Sequence, residues 1–382
     1  MKFLRLITRN AFRNRRRTIL TVLSIGLSLF LISTLRTLLT SLESPPLSQE
    51  STKRAVTRHQ TSLGAPMPIA YREKIMAVPG VENITVTQWF GGEYKDPTLF
   101  FAQFAVDADR FFDVYGEAKV QSPEQAEAFK KERTASLAGV KLAKKFGWNV
   151  GDRVTLKGTL FPFNVETTIR GLVDGGGSES TFYFRYDYFN ELFNNEGIAS
   201  TFAVKAKSPD DLPAISAAID EMFRSSTAPT KTESEAAFIT SFATMWGDVR
   251  GLIISISTVV LFTVVLVAAN TMAMSIRERT SEIAIMKTLG FSPGTVLGLM
   301  VSEAIVIAAV GGVGGSLAAK LVFEMVDMQL ASGGFLQGFF VQWSTIALSL
   351  AIALIVAFAS TALPAWGASR LPIAEAVRRR GE

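Results

Sequence analysis

The residues of this sequence that could perform chemistry are few, and their spacing does not build a catalytic site. The chain contains one histidine, His59, and no cysteine. This composition excludes disulfides and thiolate metal sites and leaves little room for histidine-based ones. Neighbouring carboxylates occur at Asp210 and Asp211 and at Glu233 and Glu235. In solvent-facing segments such pairs cap helices or add solubility far more often than they form an acid–base pair.

Motifs that mark common enzymes are also absent. The sequence has no phosphate-binding G-x-x-x-x-G-K-[ST] loop, no H-E-x-x-H zinc motif and no G-x-S-x-G nucleophile elbow. The glycine run at 175–177 lacks the following lysine and helix start that a phosphate cradle needs, so we interpret it as a flexible connection. Basic residues are not interleaved with aromatic ones, and nucleic acid is not an expected partner. We therefore expect a non-catalytic chain with no cofactor and no metal of its own.

Polar and small residues inside apolar segments are more informative. Glu303 lies about two turns inside an apolar run, where an ionised carboxylate costs about 2 to 3 kcal/mol unless it is paired or hydrated. Asn270 lies near the inner end of another run, where it could bond across helices or lie near the membrane interface. Gly311 and Gly315 have the GxxxG spacing that lets two helices approach closely. We interpret these glycines as helix packing positions and not as a ligand loop.

A charged stretch between two apolar runs, residues 277–290, has the strongest pattern in the sequence. Glu278 and Glu282 stand one helical turn apart, and Arg279 is within reach of Glu282. A helix with this pattern, held by a membrane span at each end, would be a rigid handle on the inner face of the membrane. An ordinary solvated loop helix is the alternative that these residues alone leave open.

The same stretch has an apolar side and defined ends. Ile283, Met286 and Leu289 form a stripe at helical spacing, with Ile285 on its flank. Gly290 is placed to end the helix in a left-handed cap, and Ser292 and Pro293 then restart one through an N-cap and a first-turn proline.

Four apolar runs are long enough to cross a bilayer, and the lipid bilayer is therefore an expected partner. The first run, from Thr18 to about Thr40, has about 23 residues, or about 34 Å of helix. A cleaved signal peptide is the alternative for this run, which its length and the absence of an A-x-A site oppose. The predicted fold class is thus a membrane α-helical protein with four transmembrane helices and a large α+β extracytoplasmic domain between helices 1 and 2.

The predicted segments follow from these runs and from the polar regions between them. They are a cytoplasmic amphipathic helix (1–17), transmembrane helix 1 (18–42), an extracytoplasmic, periplasmic α+β domain (43–246) with an insertion at about 120–200, transmembrane helix 2 (247–276), a cytoplasmic coupling helix (277–292), transmembrane helix 3 (293–320), an extracytoplasmic loop (321–342), transmembrane helix 4 (343–365) and a cytoplasmic C-terminal tail (366–382).

The distribution of basic residues orients these spans. Lysine and arginine cluster at the start of the chain, at 277–287 and at 370–380, whereas 320–342 contains one basic residue. Because cytoplasmic loops carry the excess of basic residues, both termini should be cytoplasmic and residues 43–246 should lie outside.

Within 43–246 the pattern predicts two separate pairs of a helix and a strand. The expected helices cover 69–80, 136–146 and 210–223; the expected strands cover 81–89, 201–205 and about 227–232, with alternating strands around Val154, Leu156, Phe163, Val165 and Ile169. The two pairs are far apart in sequence, which favours one split α+β subdomain interrupted by the insertion.

Taken together, these motifs resemble the MacB/FtsX-like permease domain of ABC transporters. The similar residues are Asn270, Ser275, Glu278-Arg279, Glu282-Ile283 and Leu289-Gly290, followed by Glu303 and the glycines after it, with a C-terminal signature at Leu363-Pro364-Ala365, Ala368, Pro372 and Glu375-Ala376. Residues 136–173 resemble the family's periplasmic insertion. Trp366 and Gly367 depart from it, since basic residues are usual there. No fused ATPase domain is present, which indicates a bare permease subunit.

The resemblance implies a mechanism and a set of partners. A dimer of ABC ATPase subunits would bind the ATP and dock beneath the membrane, and a second permease copy or a paralogue would pair with this one. A periplasmic adaptor protein is a further partner that the family admits. The resemblance assigns ATPase coupling to Glu278, Arg279, Glu282, Ile283, Met286, Leu289 and Gly290, and transmembrane packing or pairing to Asn270, Glu303, Gly311 and Gly315. ATP-driven motion would reach the outer domain by mechanotransmission and serve export or efflux across the cell inner membrane.

Other functions share this membrane plan. A lipoprotein-releasing permease has the same architecture, and so does an FtsX-like signalling scaffold that controls a cell-wall hydrolase, although its external domain is usually smaller. A membrane-anchored enzyme would need a catalytic constellation, which the sequence lacks. No motif in the sequence identifies the transported substrate.

Overall fold

The computed structural model describes residues 13–43, 48–96, 100–244, 248–333, 336 and 338–370. The chain divides into two compact units. The first, which we call the bundle unit, comprises Met1–Thr40, Gly247–Val326 and Phe339–Glu382. The second, which we call the sheet unit, comprises Ser41–Trp246 and Asp327–Gly338. The amphipathic helix expected over residues 1–17 lies mostly outside the described residues, and so does most of the expected C-terminal tail.

The helices are named here in chain order. They are α1 (Arg15–Glu43), α2 (Tyr71–Met76), α3 (Phe111–Val114), α4 (Pro123–Lys131), α5 (Val140–Phe146), α6 (Tyr186–Leu192), α7 (Leu212–Phe223), α8 (Glu235–Thr244), α9 (Val249–Glu278), α10 (Thr280–Thr288), α11 (Pro293–Met325), α12 (Met328–Ala331) and α13 (Trp343–Arg370).

The strands are named in the same way. They are β1 (Arg54–His59), β2 (Met67–Pro68), β3 (Val81–Trp89), β4 (Ala102–Val106), β5 (Lys119–Val120), β6 (Ala135–Gly139), β7 (Arg153–Leu156), β8 (Val165–Asp174), β9 (Thr181–Arg185), β10 (Ile198–Ala199), β11 (Thr201–Ala206) and β12 (Thr230–Ser234).

In the part of the chain that is described, four helices have the length and apolar composition to cross a membrane: α1, α9, α11 and α13. Helix α9, with 30 residues, is about 45 Å long. Two of these helices begin at side-chain caps that their sequence dictates. Asp248 accepts a hydrogen bond from the backbone N–H of Gly251 before α9, and Ser292 accepts one from Thr295 before α11, where Pro293 occupies the first turn.

The core of the bundle unit is a set of apolar side chains from all four long helices. It comprises Ile25, Leu29 and Ile32 of α1, Val264, Ala268 and Met272 of α9, Ala304, Ile307 and Ala308 of α11, and Ala353, Val356 and Ala357 of α13. Many of its members are alanines, which lets the helix backbones lie close together.

The sheet unit is built on one mixed sheet of ten strands. The order is β12-β1-β11-β3-β4-β9-β6-β8-β5, with β7 paired to β8 off this path. The β4–β9 and β6–β8 pairs are parallel, and the remaining pairs are antiparallel. Helix α7 packs on the sheet through Leu212, Ile215, Ile219 and Phe223, a buried stripe at helical spacing.

The expected strands over 81–89 and 201–205 are confirmed as β3 and β11, and their antiparallel pairing unites the two distant helix–strand units as expected. The sheet adds that the insertion is not separate, because the parallel β4–β9 pair joins its strands to the rest in one sheet. Pairing between strands that are distant in sequence depends on backbone hydrogen bonds, which leave no local sequence pattern.

Two expected elements have different bounds. Residues 136–146 were expected to be one helix, but residues 135–139 form β6 and only Val140–Phe146 is helical. All five residues of β6 are buried between β8 and β9, and a short apolar run of this kind cannot be distinguished from a helix by periodicity. The helix expected over 69–80 is confirmed only for Tyr71–Met76. Phe163 lies in the turn between β7 and β8, not in a strand.

Candidate functional site

Helix α10 joins the two long helices α9 and α11, and its C-terminal end is defined by backbone geometry. Gly290 has φ +89°, which confirms the expected left-handed cap. Its N–H donates to the carbonyl of Lys287 at 3.1 Å, and the N–H of Phe291 donates to the carbonyl of Met286 at 3.1 Å. These two bonds form a Schellman motif, and Met286 and Phe291 both pack on the same apolar cluster. The exit of α10 is therefore set by local sequence.

One face of α10 packs against the bundle unit itself. Ile283 is buried with Ile276 of α9, Val296 of α11 and Ala365 of α13. Met286, on the same side, is partly buried on this cluster. Two of the residues assigned to coupling by resemblance therefore contact the protein's own helices, and they fix the orientation of α10.

The charged residues of this region are paired within the chain. Arg279 lies between two carboxylates: its Nε is 3.1 Å from Glu282 and its Nη1 is 2.7 Å from Glu303. Glu303 is buried, and Arg279 is the partner that its position within the span requires. Because Arg279 lies just before α10 and Glu303 lies within α11, this ion pair ties α10 to the third span.

Two arginines of the N-terminal segment complete the network. Arg17 lies 2.5 Å from Glu278 and donates to Ser275 Oγ at 2.9 Å. Arg13 forms an ion pair with Glu282. Burial disfavours the charged form of Arg279, but Glu303 and Glu282 outweigh that effect and raise its pKa. Burial likewise opposes ionisation of Glu282, and the hydrogen bonds from Arg13 and Arg279 outweigh it and lower its pKa.

The solvent-facing surface of the α10 region includes two large apolar side chains. Ile285 is 53% exposed and Leu289, which follows the helix, is 72% exposed, with Thr288 and Gly290 exposed beside them. The stripe pattern of the sequence placed Ile285 only on its flank, so its exposure was not anticipated. The structure therefore divides the residues of this region into three groups. The charged side chains form ion pairs within the chain, Ile283 is buried, and Ile285 and Leu289 form an exposed apolar pair.

The remaining assigned residues lie deeper in the bundle unit. Gly311 and Gly315 face Gly26 of α1, which the sequence pattern did not single out. A Cβ added to Gly315 would lie 2.0 Å from the carbonyl oxygen of Gly26. Asn270 lies on α9 with its side chain exposed. Glycines 311 and 315 thus mark a close contact between α1 and α11, whereas Asn270 faces away from the described part of the bundle.

The sheet unit contains a buried charged cluster that sequence reasoning missed. The side chain of Arg54 is 2% exposed; it pairs with Glu117, and its Nε lies 2.7 Å from Glu235. Its guanidinium also lies 4.6 Å from the ring centroid of Tyr115. Burial and the neighbouring Glu235 raise the pKa of Tyr115 above its usual range. No local signal links these residues, because 63 positions separate Arg54 from Glu117 and 181 separate it from Glu235.

The two carboxylates of this cluster differ in their ionisation. Burial raises the pKa of Glu235, and the nearby Arg54 only partly offsets that effect. Burial acts on Glu117 in the same direction, but its hydrogen bonds from Arg54 and Ser48 outweigh it and lower its pKa. One guanidinium compensates one negative charge, so the second carboxylate is the one that ionises with difficulty.

Within the described residues, no group of three or more histidine, cysteine, aspartate or glutamate side chains could hold a metal ion. The carboxylates of the two charged clusters lie within ion-pair distance of an arginine, Arg54 in the sheet unit and Arg279 in the bundle unit. These ion pairs link separate elements within each unit.

Comparisons with known proteins agree with this architecture. A family model described as MacB-like periplasmic core domain matches residues 18–222, and one described as FtsX-like permease C-terminal matches residues 254–373. An uncharacterized ABC transporter permease of Methanocaldococcus jannaschii is 22% identical over 327 residues, which are 82% of this chain and 80% of the relative.

Similar solved structures cover about half of the chain. The extracellular domain of the noncanonic ABC-type transporter YknZ from Gram-positive bacteria is 15% identical, with a TM-score of 0.37; the match covers 47% of this chain and 99% of that one. The periplasmic region of MacB from Actinobacillus actinomycetemcomitans is 12% identical, with a TM-score of 0.39; that match covers 50% of this chain and 92% of the other.

Proposed function

The chain belongs to the family of MacB/FtsX-like ABC transporter permeases, and from this premise we propose that α10 couples it to a separate ATPase. The observation that carries the proposal is the exposed apolar pair, Ile285 and Leu289, on a short helix whose other face and charges are fixed within the bundle unit. Exposed apolar surface on an element whose orientation is fixed marks a candidate protein interaction site.

ATP is bound and hydrolysed by the partner in this proposal. The printed sequence contains no phosphate-binding loop, so the permease is a non-catalytic subunit that responds to nucleotide-driven movement of an ATPase dimer. A groove on each ATPase subunit would receive Ile285 and Leu289. The ion pairs of Arg279 with Glu282 and Glu303 would then transmit the movement of α10 to α11.

The proposed location is the cell inner membrane, with both termini in the cytoplasm and the sheet unit outside. The basic residues at the ends of the spans support this orientation, since Arg15, Arg16 and Arg17 open α1, Arg277 lies in the last turn of α9 and Arg279 directly precedes α10. A second permease copy or a paralogue would complete the transporter, and a periplasmic adaptor protein remains a further proposed partner. Export or efflux is the proposed direction of transport.

The backbone itself could transmit movement of the spans to the sheet unit. The backbone passes between the two units four times, at residues 40/41, 246/247, 326/327 and 338/339. The segment between α11 and α13 belongs to the sheet unit, where Lys141 Nζ lies 3.0 Å from Asp327 and donates to Gln329 at 2.9 Å. Movement of the third and fourth spans would therefore pull directly on residues that are bonded to the sheet unit.

The coupling role is tested by placing a charge on the apolar pair. We expect Leu289→Glu to weaken binding of the ATPase by about 30-fold or more, because truncating or charging an interface anchor costs about 2 kcal/mol or more. Co-purification of the ATPase and its rate of ATP hydrolysis are the measurements. Leu160→Glu, a similarly exposed leucine in the sheet unit, is the matched control and should leave both unchanged.

A second variant separates the apolar surface from the charged network. Glu282→Gln keeps the shape of the side chain but weakens its ion pairs with Arg13 and Arg279. If Glu282→Gln abolished ATPase binding while Leu289→Glu retained it, the docking surface would be the charged face and the proposal would be wrong.

A further inference from the structure

A fully buried hydroxyl group in the fourth span has no hydrogen-bond partner among the described residues. It belongs to Thr361 of α13, whose side chain is 0% exposed. Burying a hydroxyl without a hydrogen bond is unfavourable, and such groups in folded proteins bind another protein group or an ordered water. The surroundings of Thr361 are therefore where its partner has to lie.

Threonines elsewhere in the long helices satisfy their hydroxyl groups within their own helix. Thr37 of α1 donates to the carbonyl of Ser33, four residues earlier, at 2.8 Å. The same bond is made by Thr21, Thr34, Thr40, Thr258, Thr263 and Thr271. Thr361 does not bond in this way, and the carbonyl of Ala357 instead accepts from the hydroxyl of Ser360 at 3.2 Å. The Thr361 hydroxyl is thus left for a partner outside α13.

Thr361 lines a small cavity between α9, α11 and α13, beside the charged network that positions α10. Three further polar side chains share this cavity, those of Ser275, Arg279 and Glu303, and Met272 supplies part of its apolar wall. The space open to the centre of a water molecule is about 10 Å³. This volume is at the lower limit for one water and too small for a larger ligand.

The charged groups of the lining have hydrogen-bonding capacity left for a water. Arg279 donates to Glu282 through Nε and to Glu303 through Nη1, and a guanidinium has five N–H donors in all. Glu303 accepts the bond from Arg279 through Oε2, and a carboxylate offers two oxygens. An internal water needs about two to four polar partners. With Thr361, the lining meets that requirement.

We propose that this cavity binds one ordered water, which joins Thr361 to the ion pair of Arg279 and Glu303. The water donates to the carboxylate of Glu303, and its oxygen accepts from an N–H of Arg279 and from the hydroxyl of Thr361. Thr361 is then a positioning residue, because it acts on α10 through the water and the ion pair and touches neither nucleotide nor substrate.

The consequence concerns the fourth span. Ala365 of α13 packs against Ile283 of α10 through apolar contact, which is not directional. The water adds a directional link from α13 to Arg279 and Glu303. Movement of α10 would therefore reach α11 and α13 together. This consequence rests on the proposed coupling function, whereas the water site itself does not.

The sign of the stability change in Thr361→Val tests the site, because valine keeps the shape of threonine without its hydroxyl. Removing a hydroxyl that has no partner should raise the thermal unfolding midpoint, and removing one that holds a water should lower it. We expect the midpoint of the full-length protein in detergent to fall in Thr361→Val and to recover in Thr361→Ser. Thr37→Val, which removes a buried hydroxyl bonded within its own helix, is the matched control and should change little. An unchanged or raised midpoint in Thr361→Val would overturn the proposal.

Hydroxyl-radical labelling by brief X-ray exposure detects the water itself. Radiolysis of a water inside a protein oxidises the side chains beside it, and methionine is readily oxidised. Met272 lines the cavity and is only 8% exposed, so its oxidation should be present in the unmodified protein and in Thr37→Val and lost in Thr361→Val. Met325, which is 86% exposed, is the reference in all three proteins. Equal oxidation of Met272 in all three, or none in any, would rule out the water.

The positioning role has its own readout in ATPase stimulation. Thr361→Val should lower stimulation of the partner ATPase without weakening its binding, since Ile285 and Leu289 are unchanged. Adding Thr361→Val to Glu303→Gln should lower stimulation no further than Glu303→Gln alone, because both act through one link. Full stimulation in Thr361→Val, or additive losses in the double variant, would contradict this role.

Failure of this inference is distinguishable from failure of the proposed function. If Leu289→Glu bound the ATPase normally while Met272 oxidation still depended on Thr361, the docking proposal would be wrong and the water site would stand. If Leu289→Glu lost the ATPase while Met272 oxidation did not depend on Thr361, docking would stand and the water site would be wrong.

Discussion

At the scale of single residues, Arg54 illustrates how one buried charge can hold distant segments of the sheet unit together. It opens β1 soon after the end of α1, while Glu235 opens α8, which precedes α9. Glu117 is the third charged residue of this cluster, and it lies in the segment between α3 and β5. The segments that follow the first span and precede the second are therefore joined by one guanidinium.

Removing this guanidinium should destabilise the sheet unit strongly. Arg54→Met leaves two carboxylates buried without a cation, and breaking a buried pair in this way costs about 3 to 5 kcal/mol of unfolding free energy. The measurement is urea-dependent proteolysis of the full-length protein at pH 7. Adding Glu117→Gln and Glu235→Gln to Arg54→Met removes the unpaired charges and should recover a large part of the loss. A triple variant no more stable than Arg54→Met would argue against the charge explanation.

The same cluster predicts a pH dependence with a definite sign. The raised pKa of Glu235 means that the folded state binds a proton more readily than the unfolded state. Its ionisation therefore lowers stability as pH rises through its folded pKa. Glu117 acts oppositely, since its contribution is present above its unfolded pKa and is lost as pH falls through its lowered folded pKa. Accordingly, the destabilisation of Arg54→Met should be smaller at pH 5 than at pH 7, because Glu235 is then more easily protonated. An equal or larger loss at pH 5 would contradict this assignment.

At the scale of elements, the contact between α1 and α11 depends on the absence of side chains. The backbone of Gly26 lies against Gly311 and Gly315, and the ideal Cβ of Gly311 would lie 2.9 Å from the carbonyl oxygen of Val22. Side chains elsewhere in the bundle unit can change rotamer to accommodate an added methyl group, but two helix backbones in direct contact cannot. The first and third spans are therefore held at a separation that only glycine permits.

Two neighbouring glycines provide a test with an internal control. Gly315→Ala should destabilise the bundle unit by about 1 to 3 kcal/mol through overpacking against Gly26. Gly314→Ala has no atom within 4 Å of the added Cβ, and the better helix propensity of alanine should make it neutral or stabilising. The thermal unfolding midpoint in detergent is the measurement. Similar midpoints for both variants would show that the α1–α11 contact can relax.

At the scale of the whole molecule, the proposed orientation across the membrane is the premise of every coupling step. It requires α10 on the cytoplasmic side and the sheet unit on the other. Thiol labelling of cells that keep an intact inner membrane, after any barrier outside it has been removed, tests this orientation directly. Lys131→Cys of α4 and Thr288→Cys of α10 each add one exposed thiol to a chain that has none.

We expect a membrane-impermeant maleimide to label Lys131→Cys in intact cells and Thr288→Cys only after permeabilisation. The reason is the concentration of arginine and lysine at the ends of the spans near α10. If Thr288→Cys were labelled in intact cells and Lys131→Cys were protected, the orientation would be the opposite of the proposed one. The ATPase-docking proposal would then also be wrong.

Local sequence patterns were sufficient for the features that depend on neighbouring residues. The four long helices follow from runs of apolar residues, because span length is a property of hydropathy along the chain. The end of α10 follows from Gly290, because a left-handed cap involves only the six residues from Met286 to Phe291. The requirement that Glu303 find a partner or water also follows from its position alone.

The identity of that partner could not be inferred locally. Arg279 lies 24 positions before Glu303, and Arg17 and Glu278 are 261 positions apart. The single sheet, the Arg54 cluster and the Gly26 contact likewise join segments that are distant in sequence. Packing in three dimensions selects such pairs, and it also determines that Ile283 is buried while Ile285 and Leu289 stay exposed. The sequence therefore identified the α10 region, and the tertiary structure established which of its side chains are available to a partner.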